Sequence, residues 1–599
     1  MDGLFSLVTL LIPISIIAAI VYGIVSLTRR RQSGPQADPG IGTIRRLYFY
    51  GVALAALMMA ANGIALVGDD ALAMAFGDDV VVGSVEKLAL GLALTLVGIP
   101  LWGVHWWFVR KYMRQYPVER LSVVRKIYVY VILGSSATIA AFSAIGVLHW
   151  LMGTERFDGG SLARVVVFGA IWGVHWWMER SEQPTTPETK AVRRIYLYAV
   201  AAGSLGVAAT GLGQVLAAIL GEGYDALTSS AIIGGNSLTG DGPRDAIALV
   251  AVMAPIWAMH WLVFAKDDIE SLIRQLYLYP YALLGGVITV LTSIGIVLYG
   301  VLVWLFGVPE EPSTAAHFSK LTAAVASLIV GGLIVIYHAY VSRQEIDAPV
   351  DTQFAPQKSY LYAMTALGIA GMVAAIGTIV VVVISLITAS GEDTIAGADE
   401  LRNAIALAIT FGAIGTPLWG YYWRRIQGAL VGEDPAQRNV LPRRVFIFAV
   451  LGIGMLALLG SVSTLAFVLF TAILEGTMSE FLGNAQGAIA VLTPVAIFMP
   501  YYWLVYREDR RLAPDDILEK RPRKDVSVLV MEGSMEFVTR LEGVLGYQVT
   551  PLLWADDDAM PMILDDTGYE LLADRIGAAQ GREVILIPEP EGIRVLSHE

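Results

Sequence analysis

Between Ile44 and Tyr506 the chain runs through twelve long apolar stretches, and the charged residues collect in the short segments between them. A helix needs about 20 apolar residues to cross a hydrocarbon core of about 30 Å. Each stretch reaches that length, so each predicts a membrane-spanning helix. One further run precedes them. Leu4 to Leu27 is 24 residues without a charge and predicts an anchor helix within residues 1–31. It follows Asp2 and is followed by Arg29, Arg30 and Arg31. With no basic segment ahead of it, a retained anchor is expected rather than a cleaved leader. The basic flank behind it sets the N-terminus outside.

The apolar stretches are not independent. The sequence Arg45-Arg46-Leu47-Tyr48-Phe49-Tyr50 returns as Arg125-Lys126-Ile127-Tyr128-Val129-Tyr130, then with Arg193, Arg194, Tyr196 and Tyr198, then with Arg274, Gln275, Tyr277 and Tyr279. Weaker copies hold Gln357, Lys358, Tyr360 and Tyr362, and Arg443, Arg444, Phe446 and Phe448. The copies are 80, 68, 81, 83 and 86 residues apart. Self-similarity at such a period marks a repeat protein. A second motif closes each unit. It reads Pro100, Trp102, His105, Trp106 and Trp107 in the first; Trp172, His175, Trp176 and Trp177 in the second; Pro255, Trp257, His260 and Trp261 in the third. The fourth keeps His338 and Tyr340, the fifth has Pro417, Trp419, Tyr422 and Trp423, and the sixth ends in Tyr501, Tyr502 and Trp503. Eleven of the 14 Trp lie in this motif, which makes coincidence a poor explanation.

Each unit therefore predicts a helical hairpin, opened by the Arg/Tyr motif and closed by the His/Trp motif. The hairpins fall at residues 44–115, 120–181, 191–266, 272–343, 357–427 and 441–506. Segments between hairpins are basic, as in Arg110, Lys111, Arg114 and Arg120, and loops within hairpins are acidic or neutral, as in Asp69, Asp70, Asp78 and Asp79. By the excess of positive charge on cytoplasmic loops, motif ends and C-terminus face the cytoplasm. The expected fold is an all-α polytopic membrane protein of about 13 transmembrane helices, one anchor plus six parallel hairpins, with a small C-terminal α/β cytoplasmic domain. The location expected is a bacterial plasma membrane, and a ring of hairpins about the membrane normal is one arrangement of the units.

Beyond Arg507 the pattern changes. Residues 507–524 form a charged linker with Pro514 and Pro522. Residues 525–599 alternate as a compact α/β domain does. Strands are expected at 526–531 and 549–554, helices at 535–545 and 569–579, and a closing hairpin at 583–587 and 593–596.

The two motifs, in this order and repeated, resemble an uncharacterised bacterial integral membrane family, domain of unknown function 5671. That family's repeat also carries a mid-unit Leu-Arg-x-Ala stretch, matched here by Leu401, Arg402 and Ala404, with looser copies at Arg244, Arg164, Lys320 and Lys87. Val335, Tyr422 and Tyr502 depart from it, replacing a Trp and two His. The resemblance covers about Ile44 to Tyr506 and leaves the tail outside. It implies an architecture and no activity.

Composition narrows the function. The chain has 599 residues, 56% hydrophobic and 16% charged, with mean hydropathy +0.63, against about 25% charged in a soluble protein. Cys is 0, which removes disulfides and thiolate metal sites. The net charge of −12 argues against nucleic-acid binding. Most of it sits behind Arg507, where 11 basic residues face 20 acidic ones.

Candidate sites follow. Arg45, Arg46, Arg125, Lys126, Arg193, Arg194, Arg274, Arg443 and Arg444, with Trp106, Trp176, Trp261, Trp423 and Trp503, are expected at the headgroup level as interface anchors. The functional alternative is binding of anionic lipids. His105, His175, His260 and His338 are the residues able to ligate a haem or metal, but each stands alone on its helix, so no metal site is assigned and the cofactor is unknown. Lys87, Arg164, Arg244, Lys320 and Arg402 start the second helices, where a cation opposes the helix dipole; ion pairing is the expected answer, with Glu86, Asp245 and Glu400 as neighbours. Asp556, Asp557, Asp558, Asp565 and Asp566 lack EF-hand spacing and read as a solvated loop. No charged residue lies mid-span, where ion pathways need one, and no catalytic motif occurs. The leading expectation is a non-enzymatic membrane scaffold or sensor, with the bilayer and a cytoplasmic protein as partners. The alternatives are a channel or transporter for a neutral or hydrophobic solute, and a haem- or pigment-binding accessory subunit.

Overall fold

The computed structural model describes residues 41–76, 85–182, 186–228, 240–269, 271–345, 356–388, 393–430, 438, 440–512, 524–530, 535–553, 564, 566–579, 581, 583–589 and 592–598. The expected anchor at 1–31, the loop aspartates Asp78 and Asp79, and Asp556, Asp557, Asp558 and Asp565 lie outside these residues. Within them the chain divides into two units, a helical body and a small C-terminal domain.

The body contains the six hairpins. They are α1 Ile41–Phe76 with α2 Val85–Gln115, α3 Val123–Met152 with α4 Gly159–Glu182, and α5 Pro187–Thr228 with α6 Asp241–Phe264. They continue as α7 Leu272–Phe306 with α8 Thr314–Gln344, α9 Pro356–Thr388 with α10 Asp393–Gly428, and α11 Leu441–Glu475 with α12 Phe481–Leu512. Eleven of these helices are long and apolar enough to cross a membrane. The other, α4, has 24 residues and carries Arg164 near its start and Glu179, Arg180 and Glu182 at its end. Among the described residues, length and composition thus support eleven spans. The body's outer surface is apolar: Leu96, Leu305, Ile336, Leu456 and Phe467 are 70–76% exposed, as suits a lipid solvent.

Neighbours in sequence pack together: α3 on α5 and α6, α5 on α8, α7 on α10, and α9 on α11 and α12. The motif ends meet along the whole row. Arg125 bonds Tyr50, Trp172 bonds Tyr196, Trp257 bonds Tyr277, the rings of Tyr279 and Tyr360 lie 6.1 Å apart, and Trp419 bonds Tyr502. The motif ends of successive helix pairs therefore lie together.

Small residues let the helices approach closely, as membrane helix interfaces require. A Cβ on Gly98 of α2 would come within 2.6 Å of the Ala60 backbone nitrogen in α1. In the fifth hairpin, a Cβ on Gly415 would meet Met372 N at 2.7 Å and Gly368 O at 2.8 Å. Prolines are absorbed locally. Pro255 precedes a π-helical turn, Met259–Phe264, and Pro280 sits in a second one, Tyr277–Leu283. A π turn rehouses the hydrogen bonding that a ring without an N–H disrupts.

The C-terminal domain is a four-stranded sheet in the order β2-β1-β3-β4, with β1 Asp525–Val530, β2 Thr550–Leu553, β3 Glu583–Glu589 and β4 Gly592–His598. β1 is parallel to β2 and β3, and β4 returns antiparallel to β3. Helices α13 Met535–Leu545 and α14 Asp566–Ala578 share one core with Val526, Val528, Val530, Val584 and Leu586. Among the described residues, the opposite sheet face has no such cover: Leu552, Ile585 and Leu596 are 42%, 36% and 38% exposed.

Replacing Gly98 with Ala forces α1 and α2 apart, at a cost of about 1–3 kcal/mol. Gly103 has open space where its Cβ would go, so Gly103→Ala is expected to be neutral or to gain up to about 1 kcal/mol of helix propensity. Unfolding of the two purified variants in detergent separates them, and equal stabilities would refute the close contact.

Candidate functional site

A buried guanidinium needs a carboxylate, because desolvation of an unpaired charge costs several kcal/mol. The motif ends of five of the six hairpins are organised around that need. In the second hairpin, Arg125 donates through Nε to Glu182 Oε2 at 3.0 Å and through Nη2 to Oε1 at 2.5 Å. In the fourth, Arg274 grips Glu345 at 2.9 and 2.6 Å. In the sixth, Arg443 grips Asp509 at 2.6 and 2.9 Å. The third pairs Arg194 with Asp268 at 2.6 Å. In the first, Arg45 and Arg46 each reach Glu119 at 2.7 Å, a residue in the short helix Pro117–Leu121. Planar fork pairs of this kind combine two charge-assisted hydrogen bonds with a fixed geometry. Each one ties the start of a hairpin to its end.

This overturns part of the headgroup expectation. Arg125, Arg274 and Arg443 are 1%, 5% and 1% exposed, and Lys126 is 0% exposed, 3.5 Å from Glu182. They point into the bundle because carboxylates await them there. Arg45, Arg46, Arg193 and Arg194 are half-buried and paired, Arg193 with Glu179 at 3.4 Å, and Arg444 is exposed. Trp261 and Trp423 are also buried, Trp106 and Trp176 are half-buried, and Trp503 is 51% exposed. The tryptophans that face outward in the first two copies are Trp107 and Trp177, at 58% and 72%.

A second network lies beside the ion pairs. His105, His175, His260 and His338 each donate from Nδ1 to the carbonyl four residues back, at 2.8–2.9 Å. Nε2 is then the acceptor. In the third hairpin, Trp172 Nε1–H donates to Tyr196 Oη at 3.4 Å, and Tyr196 donates to His260 Nε2 at 3.0 Å. One unit on, Trp257 donates to Tyr277 at 2.9 Å, and Tyr277 donates to His338 at 3.4 Å. Each relay joins a Trp of one hairpin to the Tyr and His of the next. Two of the four histidines, His260 and His338, are thus held by a Tyr of the facing helix, and among the described residues no group of three or more His, Asp or Glu is placed to hold a metal.

The degenerate copies obey the same rule. The sixth hairpin has Phe446 where a Tyr stood and Tyr502 where a His stood, and Trp419 donates to Tyr502 at 3.0 Å. The hydroxyl has moved to the other partner and the indole N–H keeps its acceptor. In the fourth, Tyr337 accepts from Trp261 at 2.8 Å.

The far ends of the hairpins are paired as well. Lys87 bonds Asp69, Arg164 reaches Asp158 at 3.4 Å, Lys320 reaches Glu311 at 2.8 Å, and Arg402 lies 4.0 Å from Asp399. Arg244 instead donates to the Met152 carbonyl at 3.5 Å. The carboxylates are not the expected Glu86, Asp245 and Glu400. Asp158 also caps α4, accepting from the N–H groups of Gly160 and Ser161 at 3.0 Å. Partial burial pushes its carboxyl up, but the Ser161 hydroxyl, the Gly160 amide and Arg164 prevail and hold it below the usual range.

The partner acids escaped the sequence reading, though a signal was present. Glu182, Glu345 and Asp509 stand seven residues after His175, His338 and Tyr502. The fifth hairpin has Ala429 there and Gln357 in place of the Arg. Cation and acid are absent together.

Two outcomes are expected. Glu345→Gln leaves Arg274 buried without its carboxylate and costs about 3–5 kcal/mol, while Arg444→Gln changes stability by less than about 0.5 kcal/mol; denaturation in micelles reads both. Tyr196→Phe strands Trp172 and His260 at about 1–3 kcal/mol. Adding His260→Tyr recreates the sixth hairpin's arrangement and recovers most of that loss, so a double variant weaker than Tyr196→Phe alone would refute the relay.

Four stretches of the chain, residues 46–156, 159–238, 224–333 and 358–497, match the family described as domain of unknown function (DUF5671). The last spans most of the fifth and sixth hairpins, and the tail lies beyond every match. No curated protein and no solved structure matches the chain. With well over half of its length matched, the chain belongs to the DUF5671 family, as a tandem-repeat member.

Proposed function

We propose that the protein is a non-enzymatic membrane scaffold that offers its C-terminal domain to a protein partner. The observation that carries this reading is the sheet face that lacks helix cover among the described residues. Leu529 pairs in register with Leu552, and Ile585 with Leu596. Together with Ile587 they form an apolar stripe across all four strands, on the side away from α13 and α14. Small soluble domains seldom leave such a surface without a use. The domain's charge specifies the partner. Residues 525–599 hold 4 basic and 15 acidic side chains, so the partner is a basic amphipathic segment that lays an apolar side on the stripe.

The body supports the supporting role. Most of its motif cations are drawn into ion pairs at the hairpin ends, and its larger lipid-side grooves are lined almost wholly by apolar residues, as between α7, α9 and α10. A bacterial plasma membrane, with motif ends and tail in the cytoplasm, fits the basic segments between hairpins.

A photo-crosslinking residue at Ile585 in the full chain, irradiated in native membranes, tests the reading. Capture of a separate basic polypeptide, lost on Leu552→Lys, is the expected result. A homodimer-sized adduct, or no polypeptide adduct, would refute it.

A further inference from the structure

The motif ends of α4, α5 and α6 enclose a cleft of about 520 Å³, within the size range of small-molecule sites. Its lining differs from that of the grooves along the helices, which are largely apolar. It contains four cations and three carboxylates. Two of those carboxylates are already engaged. Glu179 accepts from Tyr130 at 2.8 Å and faces Arg193 at 3.4 Å, and Asp268 accepts from Arg194 at 2.8 Å and from Tyr198 at 3.1 Å.

The remaining cations, Arg180 and Lys190, are exposed and, among the described residues, have no carboxylate partner. Arg180 lies over the Trp176 ring at 5.6 Å. Asp267, also exposed, is the third acid and leaves a net charge of +1 on the lining. One wall is apolar: Trp176 packs on Phe264 with ring centroids 4.3 Å apart, and Val263 beside them is 63% exposed. The cleft therefore presents a guanidinium and an ammonium against an aromatic and aliphatic wall.

We infer that this cleft binds the phosphate group of an anionic amphiphile. A planar guanidinium and a flexible ammonium suit phosphate oxygens, and the wall suits the first carbons attached to them. Two sources share that chemistry: the phosphodiester of a bilayer lipid and a soluble phosphate ester. The inference stands apart from the partner reading of the C-terminal domain and involves none of its residues.

The full chain in mild detergent is titrated with phosphatidylglycerol or phosphatidylcholine and weighed by native mass spectrometry, with glycerol phosphate as a soluble competitor. Phosphatidylglycerol is expected to be retained over phosphatidylcholine, whose phosphate is neutralised by its own cation. Arg180→Ala with Lys190→Ala, both exposed and outside the hairpin ion pairs, cuts retention roughly 30-fold, about fivefold for each cation. Asp267→Asn raises it. Direct binding of glycerol phosphate that displaces the lipid assigns the site to a soluble ester, and lipid retention that glycerol phosphate leaves untouched assigns it to the bilayer. Equal retention of phosphatidylglycerol by the wild type and the double variant overturns the inference, as does equal retention of the two lipids by the wild type.

Discussion

A guanidinium buried beside a membrane has no water to fall back on, and the rest of this architecture is arranged around that constraint. The cation enters at the start of a hairpin and the acid that satisfies it waits at the end. The two are 57 residues apart in Arg125–Glu182, 71 in Arg274–Glu345 and 66 in Arg443–Asp509. Exchanging such a pair for well-packed apolar residues is often neutral or favourable, whereas removing one member is costly. The pair therefore acts chiefly on register. A slip of either helix strands a charge, and that penalty disfavours every pairing but one. The fifth hairpin shows the other solution, with neither Arg at 357 nor acid at 429. Its helices instead meet through Gly368, Gly371 and Gly415, where backbone contact fixes the fit.

The same logic, at lower energy, governs the aromatic relays. A buried indole N–H, phenol or imidazole nitrogen left unpaired costs about 1–3 kcal/mol. Drift in residue identity that keeps the hydrogen bond is therefore favoured, although Trp102 Nε1, Tyr128 Oη and His175 Nε2, the matching atoms of the first two hairpins, are buried without a partner among the described residues. Phe446 with Tyr502 is such a drift. So is the pairing of Tyr360 with Tyr422 in the fifth hairpin, beside a fourth hairpin that has Val335 where its Trp would stand. Substitutions that look like decay in a single copy are coupled changes once the neighbouring hairpin is considered.

This coupling decides what could be read from the sequence. Apolar length and the recurrence of two motifs are local features, so the long helices and the tandem repeat were legible. In the tail, alternation placed β1 within a residue, and the helix over 535–545 agrees end for end; the sheet order was not legible, because pairing β1 between β2 and β3 depends on contacts distant in sequence. The motif cations were misread for the same reason. A single Arg at the end of an apolar run looks like a residue reaching for headgroups. Only the distant acid turns it inward, and that acid becomes visible when the copies are aligned on His175, His338 and Tyr502.

The division of labour within the body has a mechanical consequence. Ion pairs close five of the six hairpins, small-residue contacts pack helices within a hairpin, and relays join one hairpin to the next. Rocking one group of hairpins against another would break relays such as Trp257–Tyr277–His338 at about 1 kcal/mol per hydrogen bond. Opening a hairpin would break a buried ion pair at several times that cost. The cheap motion is thus between hairpins and the expensive one within them. The cleft at the ends of α4, α5 and α6 lies on such a boundary between hairpins, where a bound anion would add a contact across the inexpensive joint. A ligand there would stiffen that joint without altering either hairpin.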